Sequence, residues 1–300
     1  MVAPIRRAVI IYTGATGGLG RFMLPALERT GVPGRALSSR LENEDGLRRE
    51  LEALPVGRAA TLIHLAALVS VPRCEQEQDL AYRVNVLGAN AAVSEFLHWA
   101  AARPVAARVL YVSTGHVYDP SDPPARLRES GLTAPRSVYA RTKLEAEARL
   151  SRLCESRGVE LCIARVFGLL SPGQPANYLL PGLVRRVRVG DVDRIPGLDC
   201  VRDYLDARDV CDDLVDLCGA ARFGGVVNVC SGVATSIRAL LGAVARAAGR
   251  EPLAAAATAA PGRADDVAWL VGDPTLLEHR LGPRRRRPLE ETIRDALAAH

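Results

Sequence analysis

Residues 7 to 20 read RAVIIYTGATGGLG, and this stretch decides the fold. Its apolar first half predicts a short buried strand, and a helical pattern follows and continues through Arg29. Between them, Gly14, Gly17 and Gly20 form a Gly-x-x-Gly-x-x-Gly turn. Backbone amides and a helix N-terminus in this arrangement hold a pyrophosphate, so the turn indicates a dinucleotide-binding unit. A tight turn without a ligand is the alternative.

Strands and helices alternate along the following sequence. Predicted strands cover about residues 35–38, 60–65, 108–113, 160–166 and 226–229. Predicted helices cover about residues 46–54, 79–102, 138–157 and 206–219. This alternation predicts a parallel sheet with helices on both faces, which is an α/β fold of the Rossmann-type doubly wound kind.

The composition changes after Gly168, where shorter mixed elements are joined by segments rich in proline and glycine. This change predicts a smaller C-terminal α/β substrate domain that is interleaved with the Rossmann-type domain. The predicted cofactor-binding domain has residues 1–167 and about 203–232. The predicted substrate domain has about residues 168–202 and 233–300.

The composition excludes several classes of protein. The 300 residues are 48% hydrophobic and 24% charged, which are ordinary values for a folded globular chain. Uncharged apolar runs stay too short for a membrane helix, and the glycine turn stands where a signal peptide needs its cleavage site, so we expect a soluble cytoplasmic protein. A net charge of only +5 and 4% aromatic residues argue against a nucleic-acid partner. The basic run 284–287 is predicted to be a solvated loop.

The chain has seven cysteines, an odd number without any C-x-x-C pair. This pattern predicts reduced thiols in the core and neither a disulfide framework nor a metal site. The seven are Cys74, Cys154, Cys162, Cys200, Cys211, Cys218 and Cys230.

Lysine occurs once in the sequence. Lys143 is the single lysine among 39 basic residues, and it follows Tyr139 by four positions inside a helical pattern. Residues four apart project from the same face of a helix, so the phenol and the ammonium are neighbours. A tyrosine with a pKa of about 10 is a poor proton donor or acceptor at neutral pH, and a nearby cation favours its ionised form. The pair predicts a general acid, Tyr139, whose pKa is lowered by Lys143.

Several motifs together resemble the extended branch of the short-chain dehydrogenase/reductase superfamily. The motifs are the glycine turn from Thr13, His64-Leu65-Ala66-Ala67, Asn85, Ser113-Thr114-Gly115-His116 and Tyr139-x-x-x-Lys143. The resemblance implies an NAD(P)-dependent oxidoreductase with Thr114, Tyr139 and Lys143 as catalytic residues. It implies cofactor contacts by Gly14, Thr16, Gly17, Gly18, Leu19, Ser38, Ser39, Arg40, Leu65, Ala66, Ala67, Asn85, Ser113, Tyr139 and Lys143. It also implies a homodimer formed by the helices near 79–102 and 138–157.

The choice between NADP and NAD depends on the end of the second strand. Members of this branch that prefer NAD have an aspartate there, whereas this chain has Ser38, Ser39 and Arg40. Hydroxyls and a guanidinium suit a 2′-phosphate, so the sequence favours NADPH, with NAD as the alternative. The stretch from Ser38 to His64 is short for the family, which predicts an abbreviated third strand. Glu42 or Asp45 is then the candidate for the acidic residue near the adenine.

The second half of the chain resembles the nucleotide-sugar enzymes of this branch. The resemblance implies substrate contacts by Thr114, His116, Asn177 and Arg202, with the Arg202 guanidinium on the substrate diphosphate, and it makes Asp203 and Asp209 structural. Dehydratases of this branch have Thr-Asp-Glu where this chain has Thr114-Gly115-His116, so dehydration is disfavoured. The ending Val117-Tyr118-Asp119 resembles dTDP-4-dehydrorhamnose reductases. The segments 197–204 and 228–232 resemble GDP-4-keto-6-deoxy-D-mannose reductases.

The leading hypothesis is therefore an NADPH-dependent reduction of the 4-keto group of a 4-keto-6-deoxy nucleotide sugar in deoxysugar biosynthesis. Three alternatives remain open. They are an NAD-dependent nucleotide-sugar 4-epimerase, a catalytically silent NADP-binding protein, and a reductase of a small aldehyde or ketone.

Overall fold

A computed structural model describes residues 8–55, 57–119, 125–261 and 267–299. Its centre is a parallel sheet of six strands in the order β2-β1-β3-β4-β5-β9. The strands of this sheet are β1 (Ala8–Thr13), β2 (Gly34–Ala36), β3 (Ala59–His64), β4 (Ala106–Thr114), β5 (Glu160–Val166) and β9 (Gly225–Val229). The predicted doubly wound parallel sheet is confirmed.

Helices cover both faces of this sheet because each has an apolar stripe to bury. One face carries α1 (Gly20–Thr30) and α8 (Ala207–Gly219), whose apolar residues pack in one core with Ile10, Leu110 and Val227. The other face carries α2 (Glu44–Glu52), α5 (Ala89–Ala101) and α6 (Val138–Ser156), which pack around Leu62 and Tyr111.

The outer side of β1 has a single described strand, the three-residue β2, and the chain crosses from there through α2 to β3 on the inner side. Within the described residues the third strand, β3, has six residues like β1, so the abbreviated third strand that the short stretch after Ser38 predicts is not confirmed. The chain reverses direction across the sheet between β1 and β3, and the carboxyl ends of strands at such a switch point form the usual ligand crevice.

The predicted helix 79–102 is wound in three pieces. They are α4 (Gln78–Tyr82), a π-helical segment (Arg83–Gly88) and α5, preceded by a short helix α3 (Val71–Gln76). A π-helical turn inserts an extra residue and often marks a functional site, and this one carries Asn85.

A second core lies in the C-terminal half. It is built from α7 (Leu179–Val189), α9 (Ile237–Ala247) and α12 (Leu289–Ala299). Its small sheet has the order β10-β8-β12, with β6 also paired to β8, and a separate pair joins β11 to β7. The remaining elements are β6 (Gly168–Leu170), β7 (Ile195–Pro196), β8 (Val201–Asp206), β10 (Ala234–Ser236), α10 (Pro252–Ala256), β11 (Ala259–Ala260), β12 (Trp269–Leu270) and α11 (Thr275–Leu281).

The observed packing differs from the predicted domain division at one helix. Leu277 of α11 is buried in the core of the large sheet, although residues 233–300 were assigned to the substrate domain. The apolar contact of α11 with α8 and β9 is long-range, and a local composition change does not reveal it.

The arginine run 284–287 is bound to the protein surface, which corrects the prediction of a solvated loop. Arg284 donates to Asp213 and Asp216 at 2.8 and 2.6 Å, and Arg286 donates to Asp213 at 2.6 Å. Arg287 binds Asp209 through its backbone and its side chain. All of these aspartates lie on α8, so the run ties the end of the chain to the Rossmann-type core.

We expect the double variant Arg284→Ala/Arg286→Ala to lose about 3–5 kcal/mol of unfolding free energy, because it leaves the Asp213 carboxylate buried without a cation. Burial already raises the pKa of Asp213, and the two guanidinium groups counteract that rise. Arg285 is exposed in the same run, so Arg285→Ala serves as the control and should stay within about 0.5 kcal/mol of the parent in urea unfolding. Equal unfolding free energies of the two variants would contradict a stabilising role for the contacts of Arg284 and Arg286 with Asp213.

All seven cysteines are free thiols, and six of them are buried, as expected from their spacing. Among the described helices, none has the length and apolarity needed to cross a membrane.

Candidate active site

Three polar side chains lie at the carboxyl ends of adjacent central strands. Thr13 ends β1 beside His64 at the end of β3, and Thr114 ends β4 beside Val166. Because parallel strands place these ends on one edge of the sheet, the glycine turn and the segment after β4 face the same crevice. The sequence-predicted catalytic and cofactor residues converge there.

The glycine turn has the shape of an anion-binding site. Gly14 has φ +73°, and a Cβ there would lie 2.7 Å from the amide nitrogen of Ala66. A Cβ on Gly20 would lie 2.0 Å from the carbonyl oxygen of Gly14, so helix and turn touch directly. Gly18 faces open space, and no side chain caps the first turn of α1. The predicted residues Thr16, Gly17, Gly18 and Leu19 therefore surround exposed amide groups that fit a dinucleotide pyrophosphate.

Thr13 fixes the segment that follows β3. Its hydroxyl accepts from the amides of Leu65 and Ala66, both at 3.2 Å, and lies 3.1 Å from Nδ1 of His64. With two donors already on the oxygen, the hydroxyl proton goes to Nδ1, which assigns the His64 proton to Nε2. Burial lowers the pKa of His64 to about 3, so the ring is neutral. His64 thus supports the cofactor loop as a neutral spacer.

Asn85 holds the same loop from the other side. Its amide oxygen accepts from the Leu68 amide at 2.7 Å, and its amide nitrogen donates to the Leu68 carbonyl and to Thr142 Oγ1, both at 3.0 Å. Thr142 lies on α6, next to Lys143 in sequence. Asn85 was predicted to contact the cofactor itself. Its described hydrogen bonds join this loop to α6, and the cofactor contact stays a prediction.

The start of α6 is capped twice. The Ser137 hydroxyl accepts from the Ala140 amide at 3.2 Å, and the Glu75 carboxylate accepts from the Val138 amide at 2.6 Å. These caps satisfy amide groups that a helix start leaves without intrahelical partners. They fix the first turn of α6, which carries Tyr139.

Tyr139 and Thr114 meet at the sheet edge. The Thr114 hydroxyl lies near enough to the phenol to lower its pKa, whereas Cys74 and Tyr178 raise it when they are ionised. The Tyr139 residue is partly exposed, but its hydroxyl end is enclosed by protein, and this burial raises its pKa well above the ordinary value. The phenol therefore keeps its proton throughout the neutral range. This arrangement suits a group that donates a proton to a carbonyl oxygen placed beside Thr114.

Lys143 lies one helical turn beyond Tyr139 and is almost fully buried. Its Nζ is 4.2 Å from the centre of the Tyr111 ring. Burial lowers the pKa of Lys143 to about 7, and the nearby Glu147 charge partly opposes that shift. The prediction that the pKa of Tyr139 is lowered is wrong. Burial raises the phenol pKa, and the amine loses its charge long before the phenol ionises.

A buried polar chain lies behind these two residues. The Ser113 hydroxyl donates to Glu147, and Arg165 donates to both carboxylate oxygens of Glu147 at 3.1 and 2.7 Å. The Arg165 guanidinium lies over the Tyr118 ring, and the Tyr118 hydroxyl donates to Asn228 Oδ1 at 2.6 Å. Ser113 was predicted as a cofactor contact. Its hydroxyl is instead committed to Glu147, so it helps to hold the carboxylate that faces Lys143.

Gly115 leaves no space for an acid at its position. A Cβ there would lie 2.9 Å from two ring carbons of Phe167, so the aromatic ring leaves no space for an acidic side chain at this position. The next residue, His116, donates its backbone amide to Thr114 Oγ1 at 3.3 Å. This packing supports the sequence-based argument against dehydration.

The predicted 2′-phosphate residues have a partner that the sequence did not indicate. The backbone amides and hydroxyls of Ser38 and Ser39 all donate to the carboxylate of Glu50 on α2, at 2.6–2.9 Å. Arg40 is exposed and makes no ion pair with any residue in the described ranges. The end of β2 therefore already holds an anion.

Of the four predicted substrate residues, Thr114 and His116 lie at and just after the end of β4, and Asn177 and Arg202 lie in the C-terminal half. Asn177 is exposed and precedes Tyr178, which is near Tyr139. Arg202 lies on β8 and donates to the Val201 carbonyl at 2.9 Å. Asp203 accepts from the amides of Ser231 and Gly232, both at 2.8 Å, which agrees with a structural role.

Sequence reasoning missed several residues of the site. They share contacts between segments that are distant in the sequence. These residues are Glu147, Arg165, Thr13, Cys74, Glu75 and Glu50. A signal was available for one of them, because Glu147 follows Lys143 by four residues and so shares its helix face.

The sequence was also compared with known proteins. The pattern of the NAD dependent epimerase/dehydratase family matches residues 10–230. The chain belongs to this family. The sequence-based assignment to the extended short-chain dehydrogenases/reductases, which are NAD(P)-dependent enzymes, is thereby confirmed. The family includes nucleotide-sugar reductases, dehydrogenases and epimerases.

Curated relatives of this epimerase/dehydratase family member carry related names. The GDP-6-deoxy-D-mannose reductase of Pseudomonas aeruginosa is 30% identical over 193 residues, which cover 60% of each chain. The dTDP-6-deoxy-L-talose 4-dehydrogenase (NAD(P)(+)) of Kitasatospora kifunensis is 26% identical, with 99% of this chain and 96% of that protein covered. The dTDP-4-dehydrorhamnose reductase of Streptomyces griseus is 32% identical, with 59% of this chain and 56% of that protein covered.

Solved structures share the fold of this family member. The UDP-glucose 4-epimerase of Thermus thermophilus in complex with NAD superimposes with a TM-score of 0.84 at 24% identity, covering 97% of this chain and 98% of that one. The protein RMD of Pseudomonas aeruginosa, complexed with NADPH, gives a TM-score of 0.82 at 24% identity and the same coverage. At this level of identity the comparison establishes the Rossmann-type fold alone.

Proposed function

We propose that this chain reduces the 4-keto group of a 4-keto-6-deoxy nucleotide sugar, using NADPH or NADH. The observation that carries the proposal is the placement of the enclosed Tyr139 phenol near Thr114, which ends β4 at the same sheet edge as the open glycine turn. Two of the relatives are named as reductases of nucleotide-linked deoxysugars.

A protonated Tyr139 suits the reductive direction of the reaction. Burial keeps the phenol protonated, and reduction of a carbonyl needs a proton donor where negative charge develops on oxygen. A nicotinamide held by the glycine turn and the 65–67 loop would supply the hydride to the carbonyl carbon. Thr114 orients the carbonyl oxygen, and Tyr139 gives it the proton.

Lys143 acts on the electrostatics of this step. A pKa of about 7 leaves part of the amine protonated near neutrality, one helical turn from the phenol. A cation there stabilises the phenolate that remains when Tyr139 has given up its proton. Glu147 favours the charged amine, and Arg165 and Ser113 hold Glu147 in place.

The substrate contacts belong to the same proposal. Asn177 and Arg202 serve the nucleotide end, with the guanidinium as a bidentate partner for phosphate. We also propose a homodimer through the helices at 78–101 and 138–156. Tyr82 and Leu87 are apolar residues exposed on the first of these segments. Sedimentation equilibrium tests the dimer.

An NAD-dependent 4-epimerase is the second candidate. Glu50 favours it, because a carboxylate at the end of β2 suits the unphosphorylated ribose that such enzymes retain. The protonated Tyr139 argues against it, because the first step of epimerisation removes a proton from a hydroxyl.

The test combines binding and turnover. GDP- and dTDP-linked 4-keto-6-deoxyhexoses are supplied with NADH or NADPH, and loss of the reduced nicotinamide absorbance is followed. The proposal requires stoichiometric oxidation of the cofactor with formation of a 4-hydroxy sugar. Interconversion of UDP-hexoses without added cofactor would select the epimerase. A thermal-shift panel with GDP, dTDP, UDP and CDP identifies the base, because a ligand that binds only the folded state raises stability.

A further inference from the structure

Glu50 occupies a set of hydrogen-bond donors at the end of β2. Oε1 accepts from the Ser38 hydroxyl, the Ser39 amide and the Ser39 hydroxyl at 2.9, 2.8 and 2.6 Å, and Oε2 accepts from the Ser38 amide at 2.7 Å. The hydrogen bonds from the two serines lower the pKa of Glu50 against the effect of burial, so the group is charged at neutral pH. Oε2 accepts from this single described donor, and a carboxylate oxygen can accept a second hydrogen bond.

This set of donors lies on the cofactor side of the sheet. Tyr12 of β1 pairs with Ala36 of β2, and the Leu37 amide donates to the Tyr12 carbonyl at 2.8 Å. Ser38 therefore stands beside the strand end that leads into Gly14. In dinucleotide-binding folds the residue at the end of this strand faces the adenosine ribose and chooses between a hydroxyl and a phosphate.

We propose that Glu50 is the residue that sets cofactor specificity, and that it makes this chain select NAD(H) over NADP(H). The proposal rests on the proposed dinucleotide site. A carboxylate accepts hydrogen bonds from ribose hydroxyls, whereas a 2′-phosphate is itself an anion and meets repulsion there. The four donors that a phosphate would need are already used by Glu50.

The inference reverses the preference that the sequence favours. The residue types at 38–40 alone predict a phosphate site. The Glu50 carboxylate on α2, 11 or 12 positions further along the chain, instead accepts the hydrogen bonds of Ser38 and Ser39. The acidic function that other family members place at the end of β2 is then supplied by a helix residue. Arg40 is the one cation of the segment 38–40. Its positive charge attracts a 2′-phosphate and so limits the loss of NADPH affinity that Glu50 causes.

The test measures NADH and NADPH dissociation constants by fluorescence titration of the full chain and of three variants. The variants are Glu50→Gln, which keeps the size, Glu50→Ala, which empties the donor set, and Glu52→Gln, an exposed control on the same helix. We expect the parent and the control to bind NADH at least about tenfold more tightly than NADPH. Both Glu50 variants should bind NADPH at least about tenfold more tightly than the parent, because a group carrying up to two negative charges no longer meets a carboxylate.

The outcomes separate the two proposals. If the parent binds NADPH as tightly as NADH, or if the Glu50 variants keep the parent's ratio, then Glu50 does not set specificity, while the reductase proposal stands. If neither dinucleotide binds to any of the proteins, both proposals fail. Circular dichroism and thermal melting of each variant show that the comparison is made on folded chains.

Discussion

Lys143→Met is expected to lose about 100-fold or more in turnover and to gain thermal stability in the cofactor-free protein. The activity falls because the cation one helical turn from Tyr139 is removed, and the effect of such a group lies in the range of about 10²- to 10⁴-fold. The stability rises because burial opposes the charge of Lys143, as its pKa of about 7 indicates. Replacing buried charges by apolar groups of similar size is often neutral or stabilising by about 1–4 kcal/mol.

The gain in stability depends on pH in a defined direction. The amine stays protonated up to its ordinary pKa of 10.5 in the unfolded chain but only up to about 7 in the folded one, so its burial cost is complete below pH 7 and fades as the pH rises to 10.5. At pH 6 the melting temperature of Lys143→Met should therefore exceed that of the parent by roughly 2–6 °C. The difference should shrink at about pH 9 to 10. Calorimetry of both proteins at these pH values measures it.

Lys143→Arg is the matched control. It keeps a positive charge in the same slot, but the guanidinium is larger and cannot lose its proton. We expect it to be inactive and less stable than the parent at every pH. Turnover by Lys143→Arg equal to that of the parent would contradict the requirement for a lysine at this position. A methionine variant that melts below the parent at pH 6 would show that the buried charge stabilises the fold.

The parts of the fold that local sequence patterns encode could be predicted from the sequence. Apolar strands, helical periods and the glycine turn are local patterns, and β5 was predicted at its observed bounds. Tyr139 and Lys143 were found because their spacing places both on one face of α6. The Tyr139 pKa was predicted in the wrong direction because its largest determinant is burial, which depends on tertiary packing and not on the local spacing of Tyr139 and Lys143.

The features that were missed are contacts between segments. Three arginines of the run at 284–287 bind aspartates on α8 about 70 residues earlier. The basic segment is therefore held against the Rossmann-type core. Glu50 changes the chemistry of Ser38 and Ser39, because hydroxyls that donate to a carboxylate are no longer free to hold a phosphate. Residue type predicts what a group can bind, but tertiary contacts decide what it does bind.

Tyr139→Phe tests the proton donor directly. We expect turnover to fall by about 10²- to 10⁴-fold, because the ring still packs but no proton reaches the carbonyl oxygen. The dissociation constants of dinucleotide and sugar should change little. In the parent, burial raises the pKa of Tyr139, so deprotonation of the phenol should cause no loss of rate from pH 7 to 9, and any fall in this range should follow the loss of the Lys143 charge above its pKa of about 7. Steady-state kinetics across this range measures both effects.

Tyr82→Phe is the control for this substitution. It removes a hydroxyl that is exposed on α4 and bonded to Arg149 at 2.7 Å, so its turnover should match the parent. If Tyr139→Phe retains more than about a tenth of the activity, the donor is another group, since a general acid contributes more than that. Cys74 and His116 are then the next candidates. Cys74 lies near Tyr139, but burial raises its pKa to about 11. His116 is held by its backbone to the Thr114 hydroxyl that orients the substrate.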